Sequence, residues 1–320
     1  MIQVLGKNGI SAKIICDSIS ESGIRMTTFE WEFHRWILAE ANTHRAISKN
    51  LQSSRAIPLS KAIEMVVENM AEPTHWGKNQ PGMQSKEELT GDDLKSAKKL
   101  WASTIGYLLS SVQKLSDIGA HKQWAARLLE PGVMTKGVFS GTDWDNLLWL
   151  RNDEDAQPEF KELARCTQEC LDQSVPRQLL PGEWHLPYVE VRLEDNRIIY
   201  EDSEGVLLSL EDAQKISASC CAQVSYRRLN ELKSKALEIY HKLFAGRKPH
   251  MSPTEHQATP IFSTSVNVPW NPQSWENGVT HVSRDGVLHS GNLTGWVQYR
   301  QTLENNVFKR TEKVLFPWER

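Results

Sequence analysis

The 320-residue sequence predicts an α+β protein on three observations. Extended stretches open the chain at residues 11–17 and 26–32, helical stripes dominate the middle with the longest over 92–118, and a hairpin pattern returns at 188–200 before further helices. With 39% hydrophobic and 24% charged residues, the chain can bury a substantial core as one large domain or two ordinary ones.

Taken in order, Ser11 to Asp17 alternates as a strand, and a Ser/Glu/Gly turn leads to a second extended piece, Met26 to Glu32. From Phe33 the period changes: Phe33, Trp36, Ile37, Ala41 and His44 fall at helical spacing, so a helix is expected to run on past His44. Glu40, His44 and Ser48 would then share one face, and Asn50 and Ser53 would lie near the helix end, with Pro58 beyond. Helices follow at 59–70 and 92–118, separated by a Pro/Gly/Asn-rich loop over 72–83. A short helix at 121–129 is expected to stop before Pro131-Gly132. Thr142, three residues before Asp145, reads as the N-cap of a helix over 144–151, and Pro158 can open the next, through Leu171.

A Pro/Gly/Trp connector over 176–187 divides the chain into residues 1–175 and 176–320, read as two parts of one composite domain. Beyond it, residues 188–193 and 197–200 form a hairpin about Glu194-Asp195-Asn196, and Ser209 caps a helix carrying Ile216 to Tyr226. The stripe Leu229, Leu232, Ala236, Ile239, Tyr240 and Leu243 makes a further helix ending at Gly246, and Pro-, Asn- and Trp-rich loops follow around 265–280.

Composition narrows the function. A net charge of −3, with no run of Lys or Arg, speaks against nucleic acid as a main partner. The start, Met1 to Lys7, has no signal-peptide design, and no stretch reaches the roughly 18 apolar residues of a membrane span. A cytosolic protein that meets no membrane is expected. Five cysteines form no CxxC pair, and Cys166 and Cys170, four apart, read as thiols on one helix. Twelve tryptophans suit a core or a pocket for a planar ligand.

The densest chemistry lies in Thr43 to Arg55, where two arginines, a histidine, amides and hydroxyls occupy thirteen residues after an aromatic run. Arg45 and Arg55 supply fixed charge in a planar fork suited to phosphate or a carbonyl edge, and His44 supplies a titratable ring. His250, His256 and Glu255 lack the HExxH spacing of a metal site, so no metal is expected.

The spacing H-R-x-x-S-x-N-x-x-S-x-R resembles the signature of flavin-dependent thymidylate synthases. His44, Arg45, Ser48, Asn50, Ser53 and Arg55 match, and Thr43 stands where the signature opens on an arginine. Arg127, Asn146 and Arg151 resemble a later block of that family, in which Ser140, Thr142 and Asp155 depart. Ser217 to Tyr226 resembles its A-A-R-V-S-Y segment, His250 to His256 its H-x-T-P-x-E-H segment, and Gly295 to Arg300 closes that block. These blocks follow the signature here and precede it in the usual order, so the chain resembles a circularly permuted, phage-like variant.

The resemblance implies an α+β fold with a mixed sheet and long helices, assembled as a homotetramer with active sites between subunits. It implies transfer of a one-carbon unit from methylene-tetrahydrofolate to C5 of deoxyuridine monophosphate, with reduced FAD as hydride donor and NADPH as reductant. Arg151 would stabilise charge on the uracil carbonyl edge, and Ser53, Arg55, Arg127, Gln298 and Arg300 would bind the nucleotide. His44, Arg45, Ser48, Asn50, Asn146, His250, Ser252 and Glu255 would meet flavin or folate, with His44 and His250 also taking part in catalysis. No Gly-rich loop opens a helix, which disfavours a Rossmann mode of flavin binding.

The departures fall largely on flavin contacts. A hydrogen bond to a charged group contributes roughly 1.5–3 kcal/mol, so flavin binding is expected to be weaker than nucleotide binding. Glu40, beside the signature, adds a candidate acid/base group and favours an altered outcome, either a different pyrimidine deoxynucleotide or a hydroxymethylated product. A third reading is a non-catalytic nucleotide-binding protein.

Overall fold

A computed structural model describes residues 2–195, 197–225, 232–244, 246, 248–262, 272–304, 306 and 307. Its centre is a six-stranded sheet in the order β1-β2-β3-β5-β4, formed by β1 (Gln3–Leu5), β2 (Ser11–Ser20), β3 (Arg25–His34), β4 (Ser48–Leu51) and β5 (Met134–Gly141). These pair antiparallel, and β6 (Arg177–Leu179) joins the end of β2 in parallel.

Alternation along β3 gives the sheet two unlike faces. Phe29, Trp31 and Phe33, two residues apart, are fully buried on one face, with Trp31 4.1 Å from the Phe139 ring and Phe29 edge-on to Trp144 at 4.9 Å. Against this face pack α5 (Asp145–Arg151) and α6 (Pro158–Gln173), which contribute Leu147, Phe160, Leu163, Cys166 and Cys170. Gly137 lies opposite Trp31, and a Cβ there would come within 2.6 Å of both Leu51 and the Phe139 ring, so a side chain at this position would break the packing.

Between β3 and β5 the chain forms α1 (Leu38–Thr43), α2 (Leu59–Glu68), the 27-residue α3 (Gly91–Asp117) and the short α4 (Lys122–Ala125). Ile57, Val66, Ile105, Val112 and Leu129 make their separate core. No described helix is long and apolar enough to cross a membrane.

The helix expected from Phe33 through His44 is corrected. Phe33 belongs to the strand alternation, Arg35–Ile37 is a 3₁₀ turn, and α1 lasts six residues before His44 leaves helical geometry at φ −81°, ψ 87°. Ser48 and Asn50 therefore sit on strand β4, paired with β5, and share no helix face with Glu40. Thr142 does not cap α5; its Oγ1 accepts from the Thr294 backbone N–H at 2.9 Å. The turn after α4 continues as 3₁₀ helix through Pro131 to Gly132.

The C-terminal part adds β7 (Glu190–Glu194), β8 (Arg197–Glu201) and β9 (Leu207–Leu208), backed by α7 (Leu210–Ala222) and α8 (Lys233–Phe244). Ser209 caps α7 as expected, its hydroxyl accepting from the Asp212 N–H, but the helix ends at Ala222 and gives way to a 3₁₀ turn. Two small sheets follow, β10 (Ala258–Pro260) with β14 (Trp296–Gln298), and β11 (His281–Val282), β12 (Leu288–Ser290) and β13 (Leu293–Thr294), before α9 (Tyr299–Thr302). Asn196, Tyr226, Leu229 and the loop residues 265–271 lie outside the described residues.

This part covers the second face of the large sheet, where Met26 packs against Ala258, Leu293 and Trp296 and where a row of polar side chains is also buried. Thr28 on β3 meets Ser140 on β5 at 2.7 Å; Thr28 bonds His185 Nε2 at 2.8 Å, Ser140 bonds His256 Nδ1 at 2.8 Å, and His185 Nδ1 reaches Ser18 at 2.9 Å. All five side chains are essentially inaccessible to water. Leaving a buried polar group without its partner costs about 1–3 kcal/mol. Ser140→Ala is accordingly expected to destabilise the fold by about that amount, read from the midpoint of urea unfolding; an unchanged midpoint would show that the hydroxyl is dispensable.

Burial holds His185 and His256 at about 3, down from the ordinary 6.5, so both rings are neutral in the fold. In the unfolded chain they take up a proton, so their contribution is complete above about 6.5 and is lost as pH falls from there toward 3. Stability should fall as pH drops from about 6.5 toward about 3, with a shallower slope in His256→Gln than in the parent.

Candidate active site

A cavity of about 1300 Å³ opens where the end of β3, α1, the end of α5 and the start of α6 converge. Arg35, Trp36, Glu40, Glu130, Arg151 and Glu159 contribute to its wall, as does Trp101 of α3, whose ring stands edge-to-face to Trp36 at 5.6 Å. The segment 72–89 arches over one side as a strap. It is closed on itself by the Gly77–Glu88 bridge and tied to the opposite wall, where Thr74 donates to Glu159 through its backbone N–H at 2.8 Å and the Gln84 amide donates to the Asp155 carbonyl.

Arg151, the last residue of α5, is held from two sides. Its Nε donates to His44 Nε2 at 3.0 Å, and its guanidinium carbon lies 4.9 Å from the centre of the Phe160 ring. His44 itself stands edge-on to Phe160 at 5.7 Å. An imidazole nitrogen that accepts a hydrogen bond carries no proton, so His44 is the Nδ1–H tautomer. Burial, Arg151 and Lys49 together push His44 down to about 4 from 6.5. The ring is neutral around pH 7 and orients Arg151 without adding charge. With Nε committed to His44, the two terminal nitrogens of Arg151 remain for a ligand, since a guanidinium carries five N–H donors.

Glu40 shares the cleft with Arg151, and its Oε2 is shielded from water without a hydrogen-bond partner. Arg35 anchors the floor through Nη1, which donates to the Gln52 carbonyl at 3.1 Å and Thr135 Oγ1 at 3.3 Å. Arg127 is exposed and donates to Glu130 at 2.8 Å. Ser53 lies next to Gln52, and Arg55 is exposed on the following turn, outside the cleft wall.

The remaining predicted residues gather elsewhere, at the seam between the two parts of the chain. Ser48 donates to Asn292 Oδ1 at 3.0 Å and accepts from Gln298 at 3.3 Å; Asn50 donates to the Cys221 carbonyl at 2.6 Å and accepts from Ser252 at 3.3 Å. Glu255 is paired with Arg300, and Lys49 donates to the His44 carbonyl. Arg45, Asn146 and His250 are exposed. Thus Arg151, His44 and Glu40 come together at the cleft, whereas Ser48, Asn50, Ser252 and Gln298 join the C-terminal part to β4, and Glu255 and Arg300 pair within the C-terminal part. Among the described residues no group of three or more His, Cys, Asp or Glu could hold a metal ion.

Arg35, Lys49, the Trp36–Trp101 wall and the strap carry no sequence pattern that marks them. Trp36 could have been found only as one of several aromatic residues near the signature.

Compared with known families, residues 15–177 match Thy1, thymidylate synthase complementing protein. That span runs from β2 into β6 and includes the signature strand, Arg127 and Arg151. Among solved structures the chain is similar to a UMP/dUMP methylase, PolB, from Streptomyces cacaoi bound with 5-Br UMP, at 13% identity and a TM-score of 0.42, covering 52% of this chain and 91% of that one. No curated protein matches the sequence. Since the matched span takes in just over half of the chain, the protein belongs to the Thy1 family of thymidylate synthase complementing proteins.

Proposed function

We propose that the chain binds a pyrimidine deoxynucleotide in the cleft beside Arg151 and adds a one-carbon unit to C5 of its base, with deoxyuridine monophosphate as substrate, methylene-tetrahydrofolate as donor and thymidylate as product. The observation that carries this reading is the fixed Arg151 guanidinium on the cleft wall, aligned by a neutral histidine and backed by Phe160. C5 of uracil becomes nucleophilic when negative charge on the carbonyl edge is stabilised, and a preorganised guanidinium does this without a proton transfer. Trp36 offers an aromatic wall for the base, and the strap limits access of water.

FAD and NADPH are the cofactor and reductant that family membership suggests. The residues expected to contact flavin do not form one cradle within a single copy: Ser48, Asn50, Ser252 and Glu255 are bonded inside the chain, and Arg45, Asn146 and His250 point outward on its surface. A flavin site made from the outward group needs a surface from a second copy, which agrees with a homotetramer. The bonds from Asn50 to Cys221 and Ser252 support a permuted order in which the C-terminal blocks return to the signature strand within one composite domain.

Glu40 favours a second reading. A shielded carboxylate oxygen without a partner suits a ligand that brings a donor, and cytosine offers an exocyclic amine where uracil offers a carbonyl. Deoxycytidine monophosphate, or a hydroxymethylated product formed when water intercepts the methylene intermediate, is the alternative outcome.

Mass spectrometry of each nucleotide after incubation with methylene-tetrahydrofolate, with and without FAD and NADPH, separates these readings. A methyl gain on the uracil nucleotide that requires flavin supports the first, a hydroxymethyl gain or turnover of the cytosine nucleotide supports the second, and binding without any mass change leaves a non-catalytic protein. Arg151→Ala should abolish turnover with the circular dichroism unchanged; retained activity would refute the role given to Arg151.

His44→Asn is expected to lower kcat about tenfold to a hundredfold, the worth of one hydrogen bond to a charged group. Because His44 is held at about 4, its protonation should cut activity only near that pH. An inflection of kcat/KM near 6.5 that disappears in His44→Asn would contradict the arrangement.

A further inference from the structure

Arg35 and Arg127 come from different parts of the chain, and both guanidiniums face the same atom, Glu130 Oε1, at 4.0 and 2.8 Å. One anionic oxygen thus sits between two arginine forks. The shared oxygen lies at the rim of the cleft that holds Arg151, since Arg35 and Glu130 both line it.

The two arginines differ in how firmly they are fixed. The Arg35 side chain is only 16% exposed, and Nη1 is tied to the Gln52 carbonyl and the Thr135 hydroxyl, which leaves Nη2 turned toward Glu130. Arg127 is 53% exposed, and its hydrogen-bond and ion-pair partner among the described residues is Glu130. An exposed pair of this kind contributes between zero and about 1 kcal/mol to stability, so the fold gains little from placing Glu130 there. The Glu130 side chain is one third exposed.

We propose that Arg35 and Arg127 form the seat for the 5′-phosphate of the nucleotide and that the Glu130 carboxylate occupies this seat until the phosphate displaces it. This rests on the nucleotide reading of the cleft and adds Arg35 as a binding residue. A phosphate monoester carries about −1.5 to −2 charge and three acceptor oxygens, against one negative charge and two oxygens for the carboxylate. Guanidinium forks match phosphate oxygens two at a time, so the exchange favours phosphate while keeping the arginines apart and ordered in its absence. Glu130 also sets a threshold: an uncharged nucleoside cannot displace it, and a nucleoside is therefore discriminated against a nucleotide before the base meets Arg151.

Calorimetric binding of deoxyuridine monophosphate, deoxyuridine, FAD and inorganic phosphate to the full chain tests this. Arg35→Ala should weaken the monophosphate about tenfold to a hundredfold and leave deoxyuridine and FAD unchanged. Arg35→Lys, which keeps the charge and the fold but loses the fork, should fall between. Glu130→Gln should tighten the monophosphate and inorganic phosphate several-fold, and adding Arg35→Lys should reverse that gain. Equal losses for nucleoside and nucleotide in both Arg35 variants, or losses confined to FAD, would overturn the seat. If Glu130→Gln tightens inorganic phosphate while no pyrimidine nucleotide binds any form of the protein, the seat stands and the nucleotide reading of the cleft fails. No response of phosphate or nucleotide to either residue overturns the seat itself.

Discussion

The hydroxyl pair Thr28–Ser140 ties the two parts of the chain together on a face of the sheet that the aromatic core does not reach, beside the smaller apolar cluster of Met26, Ala258, Leu293 and Trp296. Aromatic burial on one face of the sheet stabilises β3, β5 and the two helices beneath, but it would do so with or without the last 140 or so residues of the chain. The hydroxyl pair faces the other way. It requires two histidines from distant parts of the sequence, and those histidines bring with them the connector before β7 and the block before β10. Once that face is closed, Ser48 and Asn50 find their partners, β4 is fixed against β5, and His44 is set where the chain turns from α1 into β4. The orientation of Arg151 thus depends, several contacts away, on a polar seam with no access to water.

The family's motif residues consequently divide into two groups. His44 and Arg151 meet at the cleft, while Ser48 and Asn50 serve cohesion between the two parts of the chain. Ser140 and Thr142 depart from the family pattern for a related reason. Each bonds a residue of the C-terminal part, Ser140 to His256 and Thr142, as acceptor, to the Thr294 backbone N–H. Their small size is what lets that part sit down on the sheet.

Much of the fold was legible where the pattern was long. The strands at 11–17 and 26–32, the helices α2, α3 and α6, the hairpin of β7 and β8 and the Ser209 cap all follow from local alternation, periodicity or capping chemistry. The reading failed between Phe33 and Asn50 because a strand's last aromatic residue, a 3₁₀ turn and a six-residue helix together imitate helical spacing. The partner that makes 48–51 a strand, β5, lies more than 80 residues away and leaves no local trace. Of the residues at the cleft, Arg151, His44 and Glu40 were singled out by the resemblance to the family's motif. Arg35 was not, since a single arginine at the end of a strand has no pattern, and its meaning arises only where Glu130 and Arg127 approach it.

The seam also fixes something finer than position. His256 Nε2 has no partner, and a buried bare nitrogen is tolerated better than a buried N–H with nothing to receive it. His256 then carries its proton on Nδ1 and donates to Ser140, which must donate to Thr28, which must donate to His185 Nε2, so that His185 donates from Nδ1 to Ser18. A single tautomer choice at one end dictates every proton along the row. The five dipoles therefore point the same way and polarise one another, giving the interior beneath the signature strand a permanent direction that substitution of any one member would break.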